Sequence, residues 1–185
     1  MKIQRRVETN FAANDIPNIG DQLKIDLGEL GIFTATAQAH DNGGTWLLFD
    51  ECVDRRPMNK NGGNDGGFDM SDLCRWLKEE LLPKFPHEIK SRVMDISIPT
   101  YGQIFGHDEF YNDYLEPDDD EQFYLMSVRK NRIADYKNEY EWYWLRNATK
   151  QVVSSDCFAY VSYYGSAYYY GAYNTYGVRP AFLLM

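Results

Sequence analysis

Between Ala159 and Gly177 tyrosine occupies Tyr160, Tyr163, Tyr164, Tyr168, Tyr169, Tyr170, Tyr173 and Tyr176, separated by little but Ser, Gly, Ala, Asn and Thr. A buried core strand has a different composition, rich in Val, Ile, Leu and Phe. Each phenol hydroxyl buried without a partner costs about 1–3 kcal/mol. A low-complexity, aggregation-prone segment is the other bland reading. The flanks oppose it, because Trp142-Tyr143-Trp144-Leu145-Arg146 and Gly177-Val178-Arg179-Pro180-Ala181-Phe182 read as well-packed strands. What remains is a surface made for contact, where Tyr supplies rigid amphipathic area and small residues supply room and hydrogen bonds.

The surrounding chain is ordinary. Its 185 residues suit one domain, and 44% hydrophobic with 25% charged residues suffices for one core. A net charge of −9 opposes nucleic-acid backbones and anionic lipid surfaces, so neither is an expected partner. No apolar run approaches the roughly 20 residues of a membrane helix, so no membrane insertion is expected. The opening MKIQRRVETNFAAND lacks an apolar stretch and reads as no signal peptide, which implies synthesis in the cytoplasm. Cys52, Cys74 and Cys157 are far apart and odd in number, and read as free thiols packed as small hydrophobes.

Residues 1–20 read as a loosely held N-terminal arm, and residues 21–185 as the domain. A meander of short strands is expected at LKIDL, IFTATAQA and Trp46–Phe49, with Asp41-Asn42-Gly43-Gly44 as a hairpin turn. The glycine-rich NKNGGNDGGF, from Asn59 to Phe68, lacks the ending of a phosphate-binding loop and reads as a flexible surface loop. Asp69 or Ser71 then caps a helix with Leu73, Trp76, Leu77 and Leu81 on its apolar side, ended by Pro83 and Pro86. A strand at VMDISI, a helical turn opened by Thr100, an exposed acidic run Glu116–Glu121, and strands at Glu141–Arg146 and Val178–Leu184 complete an α+β pattern. Trp142, Trp144, Val178 and Phe182 are expected in the core.

No residue set amounts to a catalytic or metal site. His40, His87 and His107 show no ligand spacing, and adjacent His107-Asp108-Glu109 point in different directions. Cys157 has no nearby histidine and no nucleophile elbow. The run Glu116-Pro117-Asp118-Asp119-Asp120-Glu121 offers oxygens suited to calcium but lacks the glycine and spacing of an EF-hand loop, and reads as a solvated loop. No cofactor is expected.

The Trp142-Tyr143-Trp144-Leu145-Arg146 stretch, the polar and aromatic tract, and the Gly177–Phe182 segment resemble the variable proteins of diversity-generating retroelements. Leu73-Cys74-Arg75-Trp76-Leu77 and Ile98-Pro99-Thr100-Tyr101 resemble the same group, so the similarity runs from about Asp21 onward. The resemblance implies a C-type lectin-like fold with a variable region at about 147–182. In that family a reverse transcriptase copies a template repeat with errors at adenines, which scatters Tyr, Ser, Asp, Asn, Ala, Gly and Thr into the target. The implied ligand-facing residues are Tyr160, Ser162, Tyr163, Tyr164, Ser166, Tyr168, Tyr169, Tyr170, Tyr173 and Asn174, with Ser155 and Asp156 as weaker members. Val161, Gly165, Ala172 and Gly177 are implied scaffold. The partner would be a protein or cell-surface ligand, with a homo-oligomer or attachment to a virion compatible with that role. Glu116-Pro117-Asp118 is only a fragment of a calcium-lectin motif, and Cys157 lacks the partner cysteine of sulfatase-activating enzymes. A virion assembly protein, and more remotely an enzyme on the sulfatase-activating variant of the fold, are the rival expectations.

Overall fold

The computed structural model describes residues 7–8, 15–41 and 43–185. Of the expected N-terminal arm, residues 1–6 and 9–14 lie outside these, as does Asn42 of the expected hairpin turn. Within the arm, β1 (Val7–Glu8) pairs parallel with β2 (Gln22–Asp26), so part of it forms a sheet edge. β3 (Ile32–Asp41), β4 (Gly44–Phe49), β5 (Asp54–Pro57) and β6 (Val93–Ser97) follow. β7 (Ala134–Tyr136) and β8 (Glu139–Glu141) form a separate hairpin. Its turn holds Lys137 and Asn138 at φ 52° and 67°, the left-handed pair that suits the twist of a two-residue hairpin. β9 (Tyr143–Ala148), β10 (Cys157–Val161), β11 (Ala167–Gly171), β12 (Thr175–Val178) and β13 (Ala181–Leu184) end the chain.

One sheet has the order β1-β2-β3-β4-β13-β6 and the other β11-β10-β9-β12-β5, with most pairs antiparallel. The helices are short: α1 (Asp72–Trp76), α2 (His87–Lys90), α3 (Tyr101–Phe105), α4 (Glu109–Tyr114) and α5 (Arg129–Arg132). The protein is therefore α+β, dominated by strands. No helix of the described residues is long and apolar enough to cross a membrane.

Local signals explain several elements. Ser71 caps α1 by accepting the Cys74 N–H at 3.0 Å, and the helix continues as a π turn through Leu81. Pro83 falls inside a following 3₁₀ turn, Leu82–Lys84, and Pro86 precedes α2. Thr100 and Gln103 form a reciprocal capping box at the start of α3.

The sequence expectation of one strand from Val178 to Leu184 is corrected. Arg179-Pro180 divides it into β12 in one sheet and β13 in the other, because proline lacks the ladder donor. Arg179 is buried and clamps the crossing. Its Nε donates to Phe49 O at 2.7 Å, and its Nη1 donates to the Tyr143 hydroxyl at 3.1 Å and Asn131 O at 3.3 Å.

Two apolar cores result. Leu23, Leu47, Phe49, Phe182, Trp76, Leu81, Trp144, Phe158 and Val178 belong to the larger one, between the sheets and the α1 helix. Tyr101, Tyr111, Leu115, Tyr143, Leu145, Ala159 and Val161 belong to the second, where α3 and α4 pack. Alternation along β9 and β10 sends successive residues to opposite cores.

The acidic run is not uniformly exposed. Asp118 keeps only 10% of its side chain accessible and accepts hydrogen bonds from Gly102 N, Asn147 Nδ2 and Asp120 N. The glycine-rich loop is also not free. Asn64 is 2% exposed, and its Nδ2 lies 3.0–3.2 Å from Thr149 O, Thr149 Oγ1, Ser154 O and Cys157 O. That amide ties the loop to the segment entering β10.

Candidate functional site

The tyrosine tract folds as β10, a tight turn and β11. In this hairpin Tyr160 pairs with Tyr168 and Phe158 with Tyr170, so period two puts Tyr160, Tyr168 and Tyr170 on one face. Tyr169 faces the other way. Its ring lies 6.1 Å from Phe110 and 5.6 Å from Tyr114, at the rim of the second core. The expected contact set is thus divided between two sides of the sheet.

On the first face the rings converge around Trp142. Trp142 stacks on Tyr160 with centroids 5.2 Å apart and also meets Tyr163 at 5.0 Å and Tyr176 at 5.2 Å. Tyr176 in turn lies 4.7 Å from Trp144 and 5.0 Å from Tyr160. Such pairs are worth about 0.5–1.5 kcal/mol each beyond area burial, so the cluster holds its own shape. Trp142 is half-buried, not a core residue as expected, because it follows β8 at the margin of the sheet where packing ends. Trp144 is fully buried beneath it. Neither Trp142 nor Tyr176 stood in the expected contact set; the alternation in Trp142-Tyr143-Trp144 signals that both tryptophans share one face.

Outward from this floor stand Tyr163, Tyr164, Tyr168, Tyr170 and Tyr173, between 41% and 73% exposed. The hydroxyls of Tyr160, Tyr163, Tyr168, Tyr170, Tyr173 and Tyr176 make no hydrogen bond among the described residues, whereas the buried framework phenols do. Tyr101 donates to Asp108, Tyr111 to Asp118 O and Tyr143 to Arg132 O. Tyr160 is only 8% exposed, yet its hydroxyl is not among the sealed, unpartnered atoms, so its ring is floor and its oxygen reaches solvent.

The remaining expected members build the support. Ser162 is buried and shapes the turn, accepting the Tyr164 N–H at 3.3 Å. Gly165 has φ +67, and a Cβ there would lie 3.0 Å from Arg129 O. Arg129 clamps the turn through Tyr164 O at 2.6 Å and Ser166 Oγ at 3.2 Å. Asp156 accepts the Gly63 N–H and stands beside Gly171, over which the Tyr173 ring lies. Asn174 closes the turn after β11 by donating to Gly171 O at 2.9 Å. Ser155 is exposed, and its carbonyl accepts the Asn64 N–H. Val161, Gly165, Ala172 and Gly177 are all buried.

Beside the turn an open groove of about 640 Å³ is lined by Arg129, Ile133, Tyr140, Tyr163 and Tyr164. Its volume lies within the usual range of ligand pockets. A second cleft of about 510 Å³ lies elsewhere, but its polar groups pair with one another. Arg146 meets Asp69 at 2.9 Å, Asn147 meets Asp118 at 2.7 Å and Gln151 meets Asn64 at 2.7 Å. Among the described residues no three His, Cys, Asp or Glu side chains cluster as metal ligands do. Cys52 and Cys74 are buried, and burial pushes the Cys52 thiol up.

Burial, then the neighbouring phenols, raises the Tyr160 and Tyr176 pKa values; burial, with a smaller push from Cys52, raises that of Tyr143 against the lowering effect of Arg179. A phenol that ionises later in the folded chain than in the unfolded one stabilises fully below its ordinary value near 10 and loses that contribution as pH rises beyond it. The melting temperature is therefore expected to fall as pH is raised from about 9 to about 11. Phenolate absorbance should therefore keep rising above the ordinary value, as Tyr143, Tyr160 and Tyr176 ionise late. A single stage at the ordinary value would contradict these shifts.

The fold and the face together define an α+β protein presenting an aromatic, hydroxyl-rich surface on a buttressed hairpin. The chain belongs to the family described as Domain of unknown function (DUF6273), whose model matches residues 43–185. No curated protein and no solved structure matches it.

Proposed function

We propose that this chain is a ligand-binding protein of the C-type lectin-like class whose contact surface is the phenol face around Trp142. In this reading it is a variable protein of a diversity-generating retroelement, and its ligand is a protein or another structure on a cell surface. One observation carries the proposal: six phenols share one region of surface with hydroxyls that have no partner among the described residues, while the framework phenols are hydrogen-bonded. Preassembled rings lose little entropy on binding, and their hydroxyls complement polar groups at an interface. The supports favour rewriting of the face, because Arg129 and Asn174 hold backbone carbonyls of the tract, Tyr164 O and Gly171 O.

The test begins with a screen of labelled protein against intact bacterial cells and purified surface proteins. For a hit, the double variant Tyr168→Ala/Tyr170→Ala is expected to raise Kd about 30-fold or more, with a melting temperature close to wild type. Unaltered binding by that variant overturns the assignment of the face. Sequencing the DNA beside the gene tests the retroelement: a near-copy of the segment encoding the tract, differing at adenines and next to a reverse transcriptase gene, is expected.

A further inference from the structure

We infer that β11 is a self-pairing edge, through which two copies of this chain join their five-stranded sheets into one continuous sheet. Among the described residues β11 ends that sheet, with β10 on one side and no strand on the other. The register shows which of its backbone groups are in use. Ser162 N–H donates to Ser166 C=O and Ala172 N–H to Asp156 C=O, and the pairs Tyr160–Tyr168 and Phe158–Tyr170 fall in the same phase. Hydrogen-bonded pairs alternate in an antiparallel ladder. Tyr168 and Tyr170 therefore turn their backbone groups to β10, and Ala167, Tyr169 and Gly171 turn theirs away from it; Ala167 and Tyr169 are partly exposed there, while Gly171 is buried beside the Tyr173 ring. Among the described residues only one of those outward groups has a partner, the Gly171 carbonyl, which accepts from Asn174 N and Nδ2.

An open edge is a template for another strand, and proteins usually blunt it with charge, proline or a bulge. None is present here. No Lys, Arg, Asp, Glu or Pro occurs between Asp156 and Arg179, and the pairing with β10 runs unbroken from Ala167 to Gly171.

The occupant that fits is a second copy, because the pattern is symmetric about Tyr169. With a two-fold axis at Tyr169, that residue exchanges both hydrogen bonds with its counterpart, N–H to C=O in each direction. The net charge of −9 repels copies over much of the surface but not along this uncharged strand. On the phenol side Tyr168 and Tyr170 then continue into the same pair of the second copy, which doubles the platform. The inference uses backbone groups and stands apart from the ligand-binding reading.

Light scattering after size exclusion is expected to give twice the chain mass of 21.6 kDa, falling on dilution. Tyr169→Lys and Tyr169→Glu each set like charges opposite one another across the axis and should weaken association about fivefold or more. An equimolar mixture of the two variants should restore it, since Lys then faces Glu. Circular dichroism checks that both variants fold, and hydrogen exchange of wild type gives a second measure, with the Tyr169 amide protected only at concentrations where the dimer forms. A monomer at every concentration overturns the inference. So does a dimer indifferent to both variants, or a mixture no more associated than either variant alone.

Discussion

Trp144→Ala is expected to lower the unfolding free energy by about 3–5 kcal/mol, the usual cost of emptying a large buried aromatic site. Trp144 is fully buried, belongs to the larger core and donates its Nε1–H to Arg56 O at 2.9 Å, a bond reaching from β9 to β5. Truncation therefore leaves a cavity and removes this cross-strand bond together. Tyr176, packed 4.7 Å from the Trp144 ring, loses its base, so the phenol face should loosen as well. For a chain of this length the melting temperature should drop about 10 °C or more. Trp142→Ala should behave differently. That ring is half-buried, its Nε1 has no partner among the described residues, and its contacts are Tyr160, Tyr163 and Tyr176. Its loss should cost stability less than half as much while removing the floor on which the phenols stand. Thermal melts of both variants separate the two roles; equal losses would mean that Trp142 is core after all.

That pair of tryptophans also shows how far the sequence could be read. Period two in Trp142-Tyr143-Trp144 correctly places both rings on one face, and the same rule along Tyr168-Tyr169-Tyr170 would have sent Tyr169 to the opposite side. Capping signals at Ser71 and Thr100 were legible because each acts within three residues. Where the core ends was not legible, because Trp142 becomes half-exposed through its place at the margin of the sheet, which depends on β12 joining β9 beside it. The break at Arg179-Pro180 had a local signal in proline, but the crossing between sheets is set by Arg179 reaching Phe49, Asn131 and Tyr143. The buttress of the tract was invisible for the same reason. Arg129 lies 35 residues from Tyr164, and Gly63 lies 93 from Asp156. Composition found the face; long-range contacts decide which tyrosines belong to it.

Asp118→Ala is the second large loss, expected at about 2–5 kcal/mol, although the residue sits in what reads as a solvated acidic run. Its Oδ2 accepts Gly102 N–H at 3.1 Å and Asn147 Nδ2 at 2.7 Å, while Oδ1 accepts the Asp120 N–H and meets His107 Nε2, both at 3.1 Å. The Tyr111 hydroxyl bridges the Asp118 N–H and C=O at 2.6 Å each. Asn147 carries the chain of bonds onward by accepting Tyr101 N–H at 2.6 Å, so one carboxylate joins the acidic loop, the start of α3 and β9. Removing it strands the Gly102 and Asn147 donors in partly buried surroundings, at about 1–3 kcal/mol each. Asp118→Asn keeps one carbonyl oxygen. If that oxygen faces Gly102 and Asn147, the new amide can donate to His107 and only Asp120 N–H loses its acceptor, so the cost should be about half that of alanine or less. The order wild type, Asn, Ala in urea midpoints is the expected result. Because the Asp118 oxygens already face protein donors, calcium should leave all three midpoints unchanged. A midpoint that calcium raises in wild type alone would instead make this loop a cation site.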